Sequence, residues 1–265
     1  MRKELRRLAQ RKVTLGRMDR IMEHPEDALL IHYSCESFYD RPDGKTPRVT
    51  SIAVRNLGSG QTESFSIHKI AEQKRLPLES IHDHYDELEK EMLDEFFQFV
   101  LENQGKTWIH WNMRDINYGF SAIEHRFKAL GGSPFALHED KKFDLARALI
   151  ALFGVKYVGH PRLERLVEKN KITDRDFLSG ENEAKAFDEK EYVKLHQSTL
   201  RKVDILANIF GRAADGSLKT NSKWYEIYGV HPKVLVELIA QHWLVTLIGL
   251  IVLFGTLLGF FVRGN

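Results

Sequence analysis

Apolar residues along this chain come in short runs separated by polar turns, and their spacing switches between a two-residue and a helical period. The run ALLIHYS at 28–34 predicts a short strand, and RVTSIAVRN at 48–56 alternates and is rich in β-branched residues. LGSG at 57–60 then predicts a hairpin turn into a third strand, QTESFSIHK, at 61–69. From 85 to 102 the period becomes helical, with Leu88, Met92, Phe96, Phe99 and Val100 on one face. KTWIHW at 106–111 predicts a fourth strand. It leads into a helix marked by Phe120, Ile123, Phe127 and Leu130 and closed by Gly131 and Gly132. Residues 143–153 and 161–169 predict two further helices. Residues 189–210 predict a long one with Tyr192, Leu195, Thr199, Val203, Leu206 and Phe210 in register. Three strands, a helix, a fourth strand and then mostly helices is the order of an α/β domain.

The pattern breaks at both ends. Residues 243–262 contain no charge and are dominated by Leu, Ile, Val and Phe. Twenty helical residues span roughly 30 Å, the thickness of a bilayer's hydrocarbon core. This predicts a transmembrane helix, and its Gly255 and Gly259 form a Gly-x-x-x-Gly pattern suited to a homodimer. Ahead of it, Trp224, Tyr225, Tyr228, His242 and Trp243 resemble an interfacial belt, and Pro232 suits the first turn of a helix at 231–242. Residues 213–230, which begin AADGSLKTNS, read as a linker. At the other end, residues 1–24 form a basic segment with Leu5, Leu8, Leu15, Met18 and Met22 near helical spacing. Such a helix suits anionic lipid, a nucleic-acid backbone, or a plain cap on the domain at 25–212.

Composition narrows the setting. The net charge is only +2, yet residues 1–20 carry eight Lys and Arg against two acids, so the rest of the chain is acidic. No apolar stretch follows the early basic residues, so no secretory signal is expected. Cys35 is the single cysteine, which excludes an internal disulfide and a Cys-rich zinc site. The twelve histidines show no metal-binding spacing, and there is no glycine-rich phosphate loop. The expectation is a single-pass membrane protein with its N-terminal domain in the cytoplasm.

Acidic residues gather where strands end and helices begin, a position from which carboxylates of separate elements can share cations. The first strand ends in Ser34-Cys35-Glu36-Ser37, the fourth leads into WNMRDINYGF at 111–120, and the long helix carries YVKLHQSTLRKVD at 192–204. In these segments and their order, the chain resembles the DEDD 3′–5′ exonuclease superfamily over roughly 28–210. The resemblance implies a ribonuclease H-like mixed sheet flanked by helices, in which four acids hold two divalent ions for phosphodiester hydrolysis. Carried over, Glu36 is the second acid, while Ser34 stands where the first Asp belongs. Asn112 matches the family's Asn, and the third acid falls on Asp115 or is replaced by Asn117. Asp204 stands for the fourth, and Thr199 or Leu200 occupies the place of the general base. His196, eight residues before Asp204, lies roughly 12 Å along the helix and is badly placed to substitute.

Glu36, Asp115 and Asp204 are therefore the expected catalytic residues and ligands of Mg²⁺ or Mn²⁺, on three elements. Asn112, Asn117, Arg201 and Lys202 are the expected contacts to nucleic acid or nucleotide, with Trp111 or Tyr118 stacking on a base. The alternative for the 111–120 turn is structural, with Asp115 capping the following helix and pairing with Arg114. Glu124, His125 and Arg126 read as a solvated face. Three functions remain open: a membrane-anchored exonuclease-like protein that binds nucleic acid or nucleotides with its catalysis undecided, an active nuclease with shifted ligands such as Asp40 and Asp43, or a membrane effector or scaffold that recognises a protein.

Overall fold

The computed structural model describes residues 3–36, 46–114, 117–228 and 247–253. Among them, five strands make one mixed sheet around β1 (Ala28–Cys35). β1 runs antiparallel to β2 (Val49–Asn56), and β2 antiparallel to β3 (Thr62–Ser66). On its other side β1 runs parallel to β4 (Thr107–His110), which runs parallel to β5 (Lys142–Asp144), giving the order β3-β2-β1-β4-β5. All eight residues of β1 are buried, because helices cover both faces of the sheet. Alternation divides them. Leu29, Ile31, Tyr33 and Cys35 pack with Leu88, Met92 and Phe96 of α3 (Tyr85–Glu102). Leu30 packs with Ile109, Phe143, Leu149 of α5 (Leu145–Phe153), and Leu206 and Phe210 of α8 (Tyr192–Ala214).

The basic N-terminal segment is α1 (Lys3–Glu23), and it caps the domain: Thr14, Met18 and Ile21 are buried at spacings of four and three, against α5 and α8. Met22, read as part of the apolar stripe, is exposed, because it lies about 100° from Ile21 around the helix.

Elsewhere the boundaries shift for local reasons. β3 stops at Ser66, and Ile67, His68 and Lys69 belong to α2 (Ile67–Gln73), whose apolar side chains close the edge of the core. β5 takes Phe143 and Asp144 from the run read as helix. α4 (Phe120–Ala129) and α6 (Arg162–Asn170) lie where the periodicity puts them, whereas α7 (Gly180–Asp188) had no apolar stripe to announce it. Residues 213–222, read as linker, pack on the domain: Leu218 is buried, and the Lys219 and Asn221 amides donate to Asn170 Oδ1 and the Tyr157 carbonyl, both at 2.8 Å. α9 (Trp224–Tyr228) follows and touches α5.

Of the expected membrane helix at 243–262, only residues 247–253 are described. They are helical and exposed. Among the described residues no helix is long and apolar enough to cross a membrane. The Gly255 and Gly259 pair and the helix expected at 231–242 lie outside the described residues.

Candidate functional site

The three parallel strands β1, β4 and β5 point their carboxyl ends to one edge, where ligands of open α/β sheets bind. β4 stops at His110, level with Ile31, while β1 continues to Cys35. Beside that gap, the Gly119 amide donates to the Tyr33 hydroxyl at 3.0 Å, at the end of the loop that begins at Trp111. Asn112 adopts the left-handed backbone (φ 55°), which Asn tolerates better than most residues. An isolated bridge between Arg114 and Gly119 closes the loop. Gly119 is required there, because a Cβ would sit 2.5 and 2.6 Å from the Met113 carbonyl carbon and oxygen. Met113 is buried beneath the loop, while Asn112, Arg114 and Asn117 are exposed on its rim. Tyr118 is not presented for stacking on a base: its ring lies on Tyr33 (centroids 4.6 Å, 13°), with its hydroxyl 3.4 Å from the Tyr33 carbonyl and 3.5 Å from His32 Nδ1. Burial raises the Tyr118 pKa well above its ordinary value, so the phenol stays protonated. Burial, with the nearby Lys202 charge, keeps His32 neutral.

The structure does not bring Glu36 and Asp204 together. Glu36 follows the end of β1, and its Oε2 accepts the Arg48 amide at 3.3 Å. Asp204 pairs with Arg55 at 3.1 Å and with Arg201 at 3.6 Å. Arg55 is in register with Leu30. Six residues of strand separate Leu30 from Glu36, roughly 20 Å. The α8 residue level with the Ser34 position is instead Thr199: Ser51 is in register with Ser34, and its hydroxyl lies 2.7 Å from Thr199 Oγ1. Thr199 also donates to the Leu195 carbonyl. Ser34 is fully buried, and its hydroxyl has no hydrogen-bond partner among the described residues. Asp115, Asp40 and Asp43 lie outside the described residues. Among the described residues no three His, Cys, Asp or Glu side chains form a group that could hold a metal ion.

The two cations expected on phosphate are both occupied. Arg201 donates to the Arg175 carbonyl at 2.9 Å and faces Asp204. Lys202 is buried, 2.8 Å from Glu183 of α7, and its ammonium lies over the Phe177 ring. Ser198 bridges this pair to the backbone, donating to Glu183 at 3.1 Å while accepting the Leu178 amide. Burial pushes the Glu183 carboxyl upward and the Lys202 charge opposes it. Next to this layer, the rings of His196 and His68 are in tilted contact, with centroids 4.9 Å apart and 50° between their planes. Burial and the neighbouring imidazole push His196 down to about 3.

Two charged groups escaped the sequence reading. Asp144, its side chain fully buried, caps α5 by accepting the Arg147 amide at 3.2 Å, and it accepts the Asn112 amide at 3.4 Å. Arg114 pairs with it at 3.0 Å, through an approach too oblique for an aligned hydrogen bond. Arg114 is thus anchored on Asp144, and α4 has Gly119 as its N-cap. The signal for Asp144 was present: an Asp immediately before an apolar helical run is an N-cap signature. Beside it on the sheet, buried His110 accepts the Met113 amide at Nδ1, and burial, opposed by Asp144, holds it near a pKa of about 4. The second group corrects the solvated-face reading of Arg126, which is buried and forked onto Glu89 at 3.0 Å, while Glu89 accepts the Val49 amide.

No family model and no curated protein matches the chain. Among solved structures, the family B DNA polymerase from the hyperthermophilic archaeon Pyrobaculum calidifontis is similar over 70% of this chain and 24% of that one, at 15% identity and a TM-score of 0.49. The chain therefore spans about a quarter of that polymerase's length.

Proposed function

We propose that this chain is a membrane-tethered recognition protein whose exonuclease-like, ribonuclease H-like domain binds a nucleic-acid strand without cutting it. The observation that carries the loss of catalysis is the pairing of Ser51 with Thr199 at the level of Ser34, with Asp204 held by Arg55 at the far end of β1. Hydroxyls stand where hard divalent cations need carboxylates. The fold reading is supported by the strand order, with β1, β4 and β5 parallel and β2 reversed. The exposed amides and guanidinium of Asn112, Asn117 and Arg114, at the carboxyl ends of the parallel strands, supply the contacts for a strand. The uncharged segment at 243–262 supplies the tether.

The test uses the full-length chain in non-ionic detergent with labelled single-stranded DNA and RNA. The expected result is no shortening with Mg²⁺ or Mn²⁺, and a polarisation increase that persists in chelator. Asn112→Asp keeps a left-handed backbone while adding negative charge beside phosphate, and should weaken binding. Mn²⁺-dependent shortening that Glu36→Gln abolishes would restore the active-nuclease reading. Absence of binding to either strand would leave the scaffold for a protein partner.

A further inference from the structure

We propose that the end of the molecule formed by the first half of α1 and by α9 is a contact surface for anionic lipid headgroups, a property that rests on the tethered reading above. α9 folds back onto α1: the Arg7 guanidinium donates to the Glu226 carbonyl, and Arg11 lies over the Tyr228 ring at 5.0 Å. These contacts bring two different kinds of side chain to one end. Arg6 and Lys12 of α1 and Lys223 just before α9 are exposed cations. Trp224 and Tyr228 are each 63% exposed, which is unusual for rings that would gain by burial. Basic residues beside exposed amphipathic aromatics match the two layers of a bilayer surface, anionic phosphate outside and the interfacial zone beneath. A nucleic-acid strand would also use cations beside stacking rings, so the choice of lipid rests on continuity with the apolar segment at 247–253.

Chain connectivity points the same way. From Tyr228 the chain continues for eighteen residues to the helical apolar segment at 247–253, every residue of which is exposed. If that segment enters a bilayer, α9 is the last described element before it, and α1 is held to α9 by Arg7 and Arg11. The N-terminal charge excess then works as an electrostatic clamp that fixes the domain's orientation over the membrane.

The test places an environment-sensitive fluorophore at Trp224→Cys in a Cys35→Ser background, with the full-length chain reconstituted into vesicles. Vesicles are phosphatidylcholine alone or with phosphatidylserine, and brominated lipid serves as quencher. The expected result is flotation with both compositions, but blue-shifted, quenched emission only with phosphatidylserine, reversed by high salt. Each basic residue near such a surface is worth about fivefold in partitioning, so Arg6→Glu with Lys12→Glu should release the probe. Flotation with an aqueous, unquenched probe in both compositions overturns the lipid surface while leaving the tether intact. Failure to float with either overturns both.

Discussion

Lys202 and Glu183 illustrate how much one buried pair constrains this domain. Both side chains are withdrawn from water, and Ser198 satisfies part of the carboxylate. Removing one partner leaves an uncompensated charge. Lys202→Met should therefore lower stability by roughly 3–5 kcal/mol, whereas Lys202→Met with Glu183→Leu should recover most of that loss. Urea unfolding of both variants checks this, and a single variant as stable as wild type would contradict it. The same stretch of α8 shows what a residue's identity conveys alone. Asp204 was legible as an acid on the last long helix, but its height along β1 was not. Helical periodicity fixes which face a residue occupies; it does not fix how far the helix slides along the sheet. The slide is set by side chains from other elements, here the contacts of Ser51 with Thr199 and Arg55 with Asp204. Arg126 was misread for a related reason, since its partner Glu89 lies 37 residues away on another helix.

At the scale of elements, the 111–119 loop depends on two backbone positions. Gly119 has no room for a side chain against Met113, so Gly119→Ala must open the bridge to Arg114. The opened bridge shifts Arg114 on Asp144, and the expected cost is about 1–3 kcal/mol, from the strained backbone position. Hydrogen exchange should show the loss of protection confined to the loop and the start of α4; unchanged exchange there would refute the role given to Gly119. The long helices and the central strands were legible because each repeats its period over several turns or pleats. The 21 residues of α1 and 18 of α3 leave little ambiguity. β5 was hidden because three residues carry no period, and Phe143 fits a helix as well as a strand. α7 was hidden for a different reason. Two of its buried residues, Ala186 and Phe187, are adjacent in sequence, and the third, Glu183, is a charged residue that reads as surface until Lys202 is placed beside it.

For the whole molecule, the arrangement implies a particular response to acid. Four histidines are held neutral in the fold. His110 is pushed down to about 4 and His196 to about 3; His32 and His68 are also lowered, and burial is the main cause in each case. In the unfolded chain each takes up a proton near 6.5. Between that value and the folded one, the unfolded state binds more protons, so stability falls as the pH is lowered. Each fully neutral histidine contributes a slope of roughly 1.4 kcal/mol per pH unit in its window. Glu89 acts in the opposite sense: burial raises it to about 7, so it favours the folded state as pH falls from 7 towards 4.5. Burial also raises the Glu183, Glu95 and Glu124 carboxyls, which act with Glu89, so the net slope is the difference between the imidazoles and these carboxyls. Urea midpoints of the full-length chain from pH 7 to pH 4 therefore report the histidines through a difference between variants. The tilted pair of His68 and His196 gives the discriminating variant. His196→Phe keeps a ring in that place but cannot take up a proton in the unfolded state. It should flatten the profile by about one proton's slope between pH 6.5 and 4. A profile of unchanged steepness in that variant would show that the His196 imidazole is not neutral in the folded chain.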